Sequence, residues 1–337
     1  MSFLILGYGK RVENFILPSL LISKKKIYIT GRNNEKIIKL LQKYNLTKSH
    51  HLKLSELASK NIIIENIFIS IPSKNYFEYF KFLESANKKN KINYYFDTPF
   101  ISPIKNLLII NKRNNIYMLE DWQYKPINNL INSILKNYPL EKLSKIVFYK
   151  SSYFYHGLAL MKSFLNSNVK YALKKKKDNL NIYFFKIGNV NCKITDNRDY
   201  NNCYSYFEFK SIVLIDDENN KNNILPNFKN KKIFKVIREF KDGILKSISV
   251  IDDSKKIICK NNFNIKIEDH IFFKNKNYED QEKILSLVLI VDKLLKYKVT
   301  QNIYDMFVFF YLNKLNFFHK FFFNNFILKT IIYFLRK

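Results

Sequence analysis

Glycine, cysteine and histidine are all scarce in this chain. It has six glycines among 337 residues, whereas average usage of about 7% would give roughly two dozen. Its three cysteines, Cys192, Cys203 and Cys259, show no Cys-x-x-Cys spacing and leave an odd number, so neither a zinc site nor a disulfide framework is indicated. The adjacent His50 and His51 have no acidic or cysteine residue spaced to join them, and we predict no metal site.

Acidic residues are also few. The chain carries 28 Asp and Glu against 58 Lys and Arg, a formal net charge of +30, and such an excess usually favours nucleic acid or an anionic membrane as a partner. Here the surplus lysine accompanies surplus Asn, Ile, Phe and Tyr, as an AT-rich genome would produce, and most lysines are scattered. We therefore predict no specific nucleic acid partner and keep nucleic acid binding as a third hypothesis.

Neither a membrane span nor a signal peptide is visible. The tail, Ile303 to Lys337, is rich in aromatic residues, but lysines interrupt its uncharged runs before they reach the roughly 18 to 20 residues that a span needs. We expect a helical extension that packs on its own chain or on a partner subunit, with an interfacial helix at a membrane surface as the alternative. Because the first residues enter a strand almost at once, a cytoplasmic location is expected.

What the sequence does contain is a pair of glycines two positions apart, in LILGYGKRVENFILPSLL, residues 4–21. Gly7 and Gly9 follow an apolar run typical of a strand and precede apolar residues that recur at helical spacing, namely Val12, Phe15, Ile16 and Leu20. At such a turn the backbone can approach a pyrophosphate that a Cβ would obstruct, and the helix N-terminus offers free N–H groups. Since Val12 replaces the third glycine of this fingerprint, an ordinary strand-to-helix turn stays open as the alternative.

A second strand and a second helix complete a βαβ unit. We predict the strand over Lys25 to Thr30 and the helix over Asn33 to Leu46. Proteins that bind NAD usually carry an Asp or Glu at the end of this strand to hold the ribose, whereas here Thr30, Gly31 and Arg32 stand there. A hydroxyl and a guanidinium suit a 2′-phosphate, so NADP(H) is favoured over NAD(H).

Strands and helices continue to alternate. A buried-type strand, Ile67 to Ile71, ends at Pro72, and a later strand lies within Ile92 to Phe100. This rhythm predicts a parallel, doubly wound sheet. The helix between these strands carries four apolar residues on one face, Tyr76, Phe77, Phe80 and Leu83. The later strand ends in Asp97, Thr98 and Pro99.

The second half of the chain reads differently. Short runs rich in β-branched and aromatic residues are separated by Asn, Asp and Lys clusters, which predicts consecutive antiparallel strands. A long helix is predicted over Tyr278 to Lys298, because acidic residues occupy its first turn and lysines its end.

In this order the motifs resemble those of the Gfo/Idh/MocA family of NAD(P)-dependent oxidoreductases. SIPS, residues 70–73, and DTPF, residues 97–100, are similar to the turn after the family's middle strand and to its Glu-Lys-Pro motif. MLEDWQYKP, Met118 to Pro126, is similar to the crossover that leaves the family's Rossmann domain. SSYFYHGLALMKSFLN, Ser151 to Asn166, is similar to the segment in which a catalytic Asp precedes a His by four residues. Together these segments cover residues 1 to about 166.

The resemblance implies an α/β chain with an N-terminal Rossmann domain and a C-terminal α+β domain whose sheet is open and mainly antiparallel. We place the dinucleotide-binding domain at 1–120, the substrate and oligomerisation domain at 121–300, and an aromatic-rich helical extension at 301–337. One face of the second sheet often forms a dimer or tetramer in this family, so a homo-oligomer through the C-terminal sheet is expected.

The resemblance and the glycine turn together imply a set of cofactor-binding residues. They follow the ends of the first four strands. The predicted set is Gly7, Tyr8, Gly9, Lys10, Arg11, Thr30, Arg32, Ile71, Pro72, Asp97 and Pro99.

The implied catalytic residues depart from the family's pattern. In the family a Lys and a His hold or relay the hydroxyl proton while a hydride passes between nicotinamide and substrate. At the matching positions this chain has Thr98 for the Lys, Ser152 for the Asp that precedes the His, and a retained His156. A Thr hydroxyl can position a substrate but cannot replace an ammonium as a proton donor, so His156 is predicted as the acid/base, with Thr98 and Tyr155 as further catalytic candidates. A structural histidine at a helix start remains the alternative.

Two functions from different classes follow. The first is a cytoplasmic NAD(P)-dependent oxidoreductase that acts on a hydroxyl-bearing carbon of a sugar or sugar nucleotide, with surface polysaccharide synthesis as a setting drawn from analogy. The second is a catalytically degraded scaffold that binds a nucleotide or sugar, which the replacements at Thr98 and Ser152 favour.

Overall fold

The computed structural model describes residues 1–57, 62–86, 92–97, 106, 109, 115–138, 142–151, 154–165, 167, 169–178, 180–195, 199, 202–217, 225–298 and 321–322. These residues form two compact units. The first unit contains residues 1–121 and 283–298, and the second contains residues 122–282 and 321–322. The domain limits predicted from the sequence remain a prediction.

Sixteen strands and seven α-helices are present in these ranges. The strands are β1 (Ser2–Leu6), β2 (Lys26–Thr30), β3 (Asn66–Ile69), β4 (Asn93–Phe96), β5 (Ile116–Met118), β6 (Lys145–Tyr149), β7 (Val169–Lys177), β8 (Leu180–Ile187), β9 (Val190–Thr195), β10 (Tyr204–Glu208), β11 (Ile212–Asp216), β12 (Lys232–Lys241), β13 (Ile244–Ile251), β14 (Ile257–Asn262), β15 (Tyr297–Lys298) and β16 (Phe321–Phe322). The α-helices are α1 (Leu17–Ile22), α2 (Asn34–Lys43), α3 (Tyr76–Ala86), α4 (Pro126–Asn137), α5 (Phe154–Leu165), α6 (His270–Phe273) and α7 (Tyr278–Lys293). Short 3₁₀ turns lie at Lys48–His50, Leu54–Glu56, Ser73–Asn75, Asp121–Tyr124 and Ile267–Asp269.

The first unit is built on a parallel sheet, as predicted. Its strand order is β15-β5-β4-β3-β1-β2, in which β1 to β5 are parallel and the short β15 runs antiparallel to β5. All residues of β1 and β3 are buried, as expected for strands that are covered on both faces. Edge-on aromatic contacts join neighbouring strands, with 5.4 Å between the ring centroids of Phe3 and Phe68.

The helix after β1 begins in an irregular way. Val12–Ile16 form a π-helical turn that leads directly into α1. A π turn holds an extra residue and displaces the residues that follow it around the helix axis, and here Leu17 is buried beside Ile16. Phe15, which helical spacing placed on the buried face, is only half-buried, and the Lys283 ammonium lies 4.5 Å from its ring centroid.

The next helix begins and ends for local reasons. The Asn33 side chain accepts a hydrogen bond of 2.9 Å from the Lys36 N–H and so caps the start of α2, as Asn commonly does. Ile37, Leu40 and Leu41 form the buried face of this helix. It ends at Lys43, three residues before the predicted end.

The second unit is built on a mixed sheet that is mainly antiparallel, as predicted. Its order is β14-β13-β12-β11-β10-β6-β9-β8-β7-β16. Two neighbouring pairs within it are parallel, β11 with β12 and β6 with β9. Simple hairpins therefore do not connect all neighbouring strands of this sheet. Helix α4 packs on β13 and β14, and α5 packs on β9.

A buried ionic network ties strands of this sheet to the last long helix. Arg238 donates two hydrogen bonds to the Asp216 carboxylate, at 2.7 and 2.9 Å, and one to Glu282 at 2.8 Å. The Arg238 and Glu282 side chains are each 2% exposed. Burial by itself would lower the pKa of Arg238, but the two carboxylates raise it well above its ordinary value. The guanidinium therefore stays charged and holds β11, β12 and α7 together.

The last long helix is shorter than predicted. It ends at Lys293 instead of Lys298, because Leu294 adopts a positive φ of 47°, a conformation that commonly ends a helix. Tyr297–Lys298 then pair with β5.

The predicted helical extension, residues 301–337, lies outside the described residues except for Phe321–Phe322, which pair with β7. None of the helices in the described ranges is long and apolar enough to cross a membrane.

Candidate functional site

A cleft of about 530 Å³ opens in the first unit at the carboxyl ends of β1, β2 and β3. It is lined by residues 6–11, 31–32 and 70–72, together with Asn75 and Tyr79. Its volume lies within the range of small-molecule sites. Ligands of open α/β sheets bind at this edge, so the cleft is the first candidate for a cofactor site.

Gly7 is required by the packing of the turn itself. Its φ is +132°, and a Cβ added there would lie 2.2 Å from the Ser70 carbonyl oxygen. The Gly7 N–H donates to the Thr30 carbonyl at 3.0 Å, and the Ser70 N–H donates to the Leu6 carbonyl at 2.9 Å. The turn is therefore held tightly between the ends of β2 and β3, where only a glycine fits.

Gly9, in contrast to Gly7, has open space beside it. It is exposed and lines the cleft, and a Cβ added there would meet no atom within 4 Å. Its carbonyl accepts the Glu13 N–H at 3.0 Å, the first bond of the helix. Because the first N–H groups of a helix have no partner within it, the turn presents open backbone and a helix N-terminus to the cleft. This geometry fits a pyrophosphate.

The charged side chains at the cleft are all basic. Among the lining residues none is acidic, while Lys10, Arg11 and Arg32 are cations. Within the described ranges, Lys10 and Arg32 make no ion pair with an acidic side chain. In the described part of the chain, Lys10 and Arg32 therefore give the cleft positive charge without a paired carboxylate, as a site for phosphate groups requires.

Arg11 differs from these two cations because carboxylates surround it. Its Nε lies 2.6 Å from Asp97 Oδ1, and its Nη2 lies 3.0 Å from Asp121 Oδ1. Burial by itself would lower the pKa of Arg11, but Asp97 and Asp121 raise it well above its ordinary value. The guanidinium is thus engaged by the ends of β4 and β5, and its predicted contact with a cofactor remains a prediction.

Two aromatic side chains, Tyr8 and Tyr79, also line the cleft. The Tyr8 ring lies against Gly31 so closely that a Cβ at Gly31 would be 2.9 Å from two ring carbons. The ammonium of Lys36, on the first turn of α2, lies 6.0 Å from the centroid of the same ring. Arg32 Nε donates to the hydroxyl of Tyr79, which also lines the cleft, at 2.6 Å.

Several predicted residues lie elsewhere. Ile71 and Pro72 line the cleft, but Thr30 is 1% exposed and is not among the lining residues. Asp97 is also buried, where it accepts a hydrogen bond of 2.9 Å from Ser70 Oγ. Thr98 and Pro99 lie outside the described residues.

One catalytic candidate of the second unit, His156, belongs to a cluster that has the Trp122 ring at its centre. The His156 ring stacks on Trp122, with 5.8 Å between centroids and 17° between planes. Lys125 Nζ lies 3.7 Å from the centroid of the same Trp122 ring, and Lys125 is 9% exposed. Tyr155 lies on α5, one residue before His156, and its side chain lies outside the described part of the structure, as does Ser152.

A small cavity adjoins this cluster. It has a volume of about 40 Å³ and is lined by Trp122, Lys125 and Ser205 as well as by Arg238 and its partners. Since one water needs about 10–15 Å³ of such space, the cavity can hold only a few waters. A sugar therefore does not fit into this cavity.

Sequence reasoning missed four residues of these two sites: Tyr79, Lys36, Trp122 and Lys125. The sequence could have indicated Tyr79, because it is an aromatic residue that lies off the apolar face of α3. It could also have indicated Lys125, because Lys125 precedes the proline that begins α4 and is the N-cap residue of that helix.

Comparisons with known proteins address the fold. No protein-family model and no curated protein sequence matches the chain. Among solved structures, an oxidoreductase from Agrobacterium radiobacter in complex with NAD+, L-tartaric acid and magnesium is similar, with a TM-score of 0.62 at 6% identity over 95% of this chain and 98% of that one. A myo-inositol dehydrogenase from Corynebacterium glutamicum gives 0.58 at 10% identity over 93% and 96%.

A third similar structure is the super-repressor mutant of Gal80p from Saccharomyces cerevisiae, with a TM-score of 0.66 at 9% identity over 95% of this chain and 97% of that one. The same two-part architecture thus occurs in dehydrogenases and in a protein described as a repressor. The resemblance that the motifs predicted is confirmed in three dimensions: this chain has the fold of the Gfo/Idh/MocA-type oxidoreductases.

Proposed function

We propose that the protein is an NADP(H)-dependent oxidoreductase that moves a hydride to or from a hydroxyl-bearing carbon of a sugar or sugar nucleotide. The observation that carries this proposal is the cleft at the glycine turn. It combines open backbone at Gly9 with unneutralised cations at Lys10 and Arg32. The fold supports the same proposal, because a myo-inositol dehydrogenase has a similar fold.

The cleft offers separate positions for the phosphates of the cofactor. Gly9 and the helix N-terminus suit the pyrophosphate, with Lys10 at the same turn. Arg32 suits a 2′-phosphate, and no acidic residue lines the cleft to accept the hydroxyls of an unphosphorylated ribose. This charge balance favours NADP(H) over NAD(H).

When bound, the nicotinamide supplies or accepts the hydride. The chain's own task is to take up or release the hydroxyl proton, which requires a group within hydrogen-bond reach of that oxygen. His156 suits this role, because histidine is the side chain that most often serves as a general acid or base. Lys125 adds an ammonium to the same cluster through the shared Trp122 ring. An ammonium is the group that this chain lacks at Thr98, where the family's Glu-Lys-Pro motif has its Lys.

The first experiment is a titration of the nucleotide-free protein with NADPH and with NADH, followed by nicotinamide fluorescence. We expect micromolar binding with NADPH preferred. Absence of binding by either nucleotide in a folded sample would overturn the assignment of the cleft. A second step mixes the NADPH complex with a panel of aldoses, ketoses and sugar nucleotides and follows absorbance at 340 nm.

A variant links turnover to the cluster of the second unit. His156→Ala should lose turnover while binding NADPH as the wild type does, and His270→Ala is the matched control. Full turnover by His156→Ala would refute its assigned role. Action on surface polysaccharide precursors, a cytoplasmic location and a homo-oligomer through the second sheet remain proposals on the same analogy.

A second candidate function is a scaffold that binds NADP(H) or a sugar without turnover. The replacements at Thr98 and Ser152 favour it, and a protein described as a repressor shares the fold. Nucleotide binding without hydride exchange across the whole sugar panel would support this candidate. Oxidation of NADPH by any member of the panel would exclude it.

A further inference from the structure

Arg32 is anchored through one nitrogen of its guanidinium. Its Nε donates to the Tyr79 hydroxyl at 2.6 Å, and the carbon of the guanidinium lies 5.4 Å from the Tyr79 ring centroid. Within the described ranges, neither Nη group of Arg32 makes a hydrogen bond or an ion pair with another side chain. In the described structure, the hydrogen bond to Tyr79 therefore leaves both Nη groups of Arg32 available, and these nitrogens can bind two phosphate oxygens together.

Tyr79 is itself held in place by the helix that carries it. On α3 the neighbouring Tyr76 and Phe80 are each 1% exposed, and the Tyr76 hydroxyl donates to the Asp97 carbonyl at 2.7 Å. These contacts fix α3 against the sheet, so the Tyr79 hydroxyl occupies a defined position at the rim of the cleft. A long, exposed arginine side chain would otherwise sample many rotamers, and their loss on binding weakens affinity.

Charge at the same end of the cleft points to an anionic ligand group. Lys36 lies against the Tyr8 ring, and within the described part of the chain no acidic side chain forms an ion pair with Lys36 or Arg32. Each of these cations lacks a neutralising carboxylate in that part of the chain, and a phosphate monoester would supply the missing negative charge.

We infer that Tyr79 is a positioning residue for cofactor specificity: by anchoring Arg32 through Nε, it directs the two Nη groups toward the 2′-phosphate of NADP(H). This inference rests on the proposed function, namely on NADP(H) as the ligand of the cleft. It assigns to a tyrosine 47 residues away from Arg32 a share in the choice between the two cofactors.

The test measures dissociation constants for NADPH and NADH by nicotinamide fluorescence in wild type, Tyr79→Phe, Arg32→Ala and the double variant. Tyr28→Phe is the matched control, since Tyr28 lies on β2 outside the cleft and also faces a cation, Lys26. We expect Tyr79→Phe to lower the preference for NADPH by about three- to tenfold, the effect of one lost hydrogen bond. NADH binding should stay within about twofold of wild type.

The double variant separates positioning from general stability. If Tyr79 acts through Arg32, then Tyr79→Phe has no further effect on the preference once Arg32 is alanine. Competition by 2′-AMP against 5′-AMP should show the same pattern, because it isolates the 2′-phosphate from the nicotinamide.

The outcomes separate a failure of the inference about Tyr79 from a failure of the proposed function. If wild type binds both nucleotides but Tyr79→Phe leaves the preference unchanged, or acts equally without Arg32, the inference is overturned and the proposed function stands. A wild type that prefers NADH overturns the inference together with the assignment of NADP(H), and leaves an oxidoreductase that uses NAD(H). A wild type that binds neither nucleotide overturns both.

Discussion

The two glycines of the turn should respond in opposite ways to the same substitution. Gly9→Ala places a methyl group in open space, at a residue without the positive φ that disfavours a side chain. Gly→Ala at such a position changes the free energy of unfolding by about 0.4 to 1 kcal/mol in the stabilising direction. The methyl group would instead occupy the space where a pyrophosphate approaches the backbone, so we expect NADPH affinity to fall at least tenfold, about 1.4 kcal/mol.

Gly7→Ala is the contrasting variant. Its Cβ would lie 2.2 Å from a backbone carbonyl oxygen, which cannot move as a side chain can, and its φ is +132°. Strain from such a φ alone amounts to about 1 to 3 kcal/mol, and the clash adds to it. We expect a loss of roughly 3 kcal/mol or more, measured by urea unfolding alongside the NADPH titration. A Gly9→Ala protein that binds NADPH normally, or a Gly7→Ala protein as stable as wild type, would refute this reasoning.

Three further predictions concern the second unit. Arg238→Met should lower the free energy of unfolding by roughly 3 to 5 kcal/mol, because it leaves Asp216 and Glu282 without their cation in a buried position; a change below about 1 kcal/mol in urea unfolding would contradict the network's role. Lys125→Met should reduce turnover with the best sugar of the panel by about a hundredfold or more while NADPH affinity stays unchanged, and equal turnover would remove Lys125 from the mechanism. Burial raises the pKa of Cys192 to about 12, so its thiolate is scarce at pH 8 and its alkylation by iodoacetamide, followed by mass spectrometry, should require unfolding; rapid modification of the folded protein would show that the thiol is accessible.

Local pattern was sufficient for the first sheet and for the glycine turn. A short apolar run bounded by a turn, such as Phe3 to Leu6, favours a strand covered on both faces. Two closely spaced glycines in a glycine-poor chain mark a tight turn, in which Gly7 is the position that requires a glycine. The helix of Val12–Ile16 was less predictable, because spacing arguments assume 3.6 residues per turn and a π turn breaks that period. The end of α7 depended on the backbone of Leu294, which no side-chain pattern reveals.

Long-range partners of the site could not be predicted in the same way. Arg11 is separated from Asp121 by 110 residues and Arg32 from Tyr79 by 47. Apolar periodicity assigns a residue to one face of its element, but it does not fix which residues of distant elements meet there. For this reason Arg11 and Arg32 had the same predicted role, although the structure gives one of them two carboxylates and the other a phenol.

The contact between Tyr8 and Gly31 constrains how the proposed preference for NADP(H) could be changed in evolution or by design. An acidic residue at position 31, which would favour an unphosphorylated ribose, would bring its Cβ to 2.9 Å from the Tyr8 ring. The substitution therefore requires the Tyr8 ring to move or to be replaced by a smaller residue. The side chain at position 8 thus conditions what position 31 can accept.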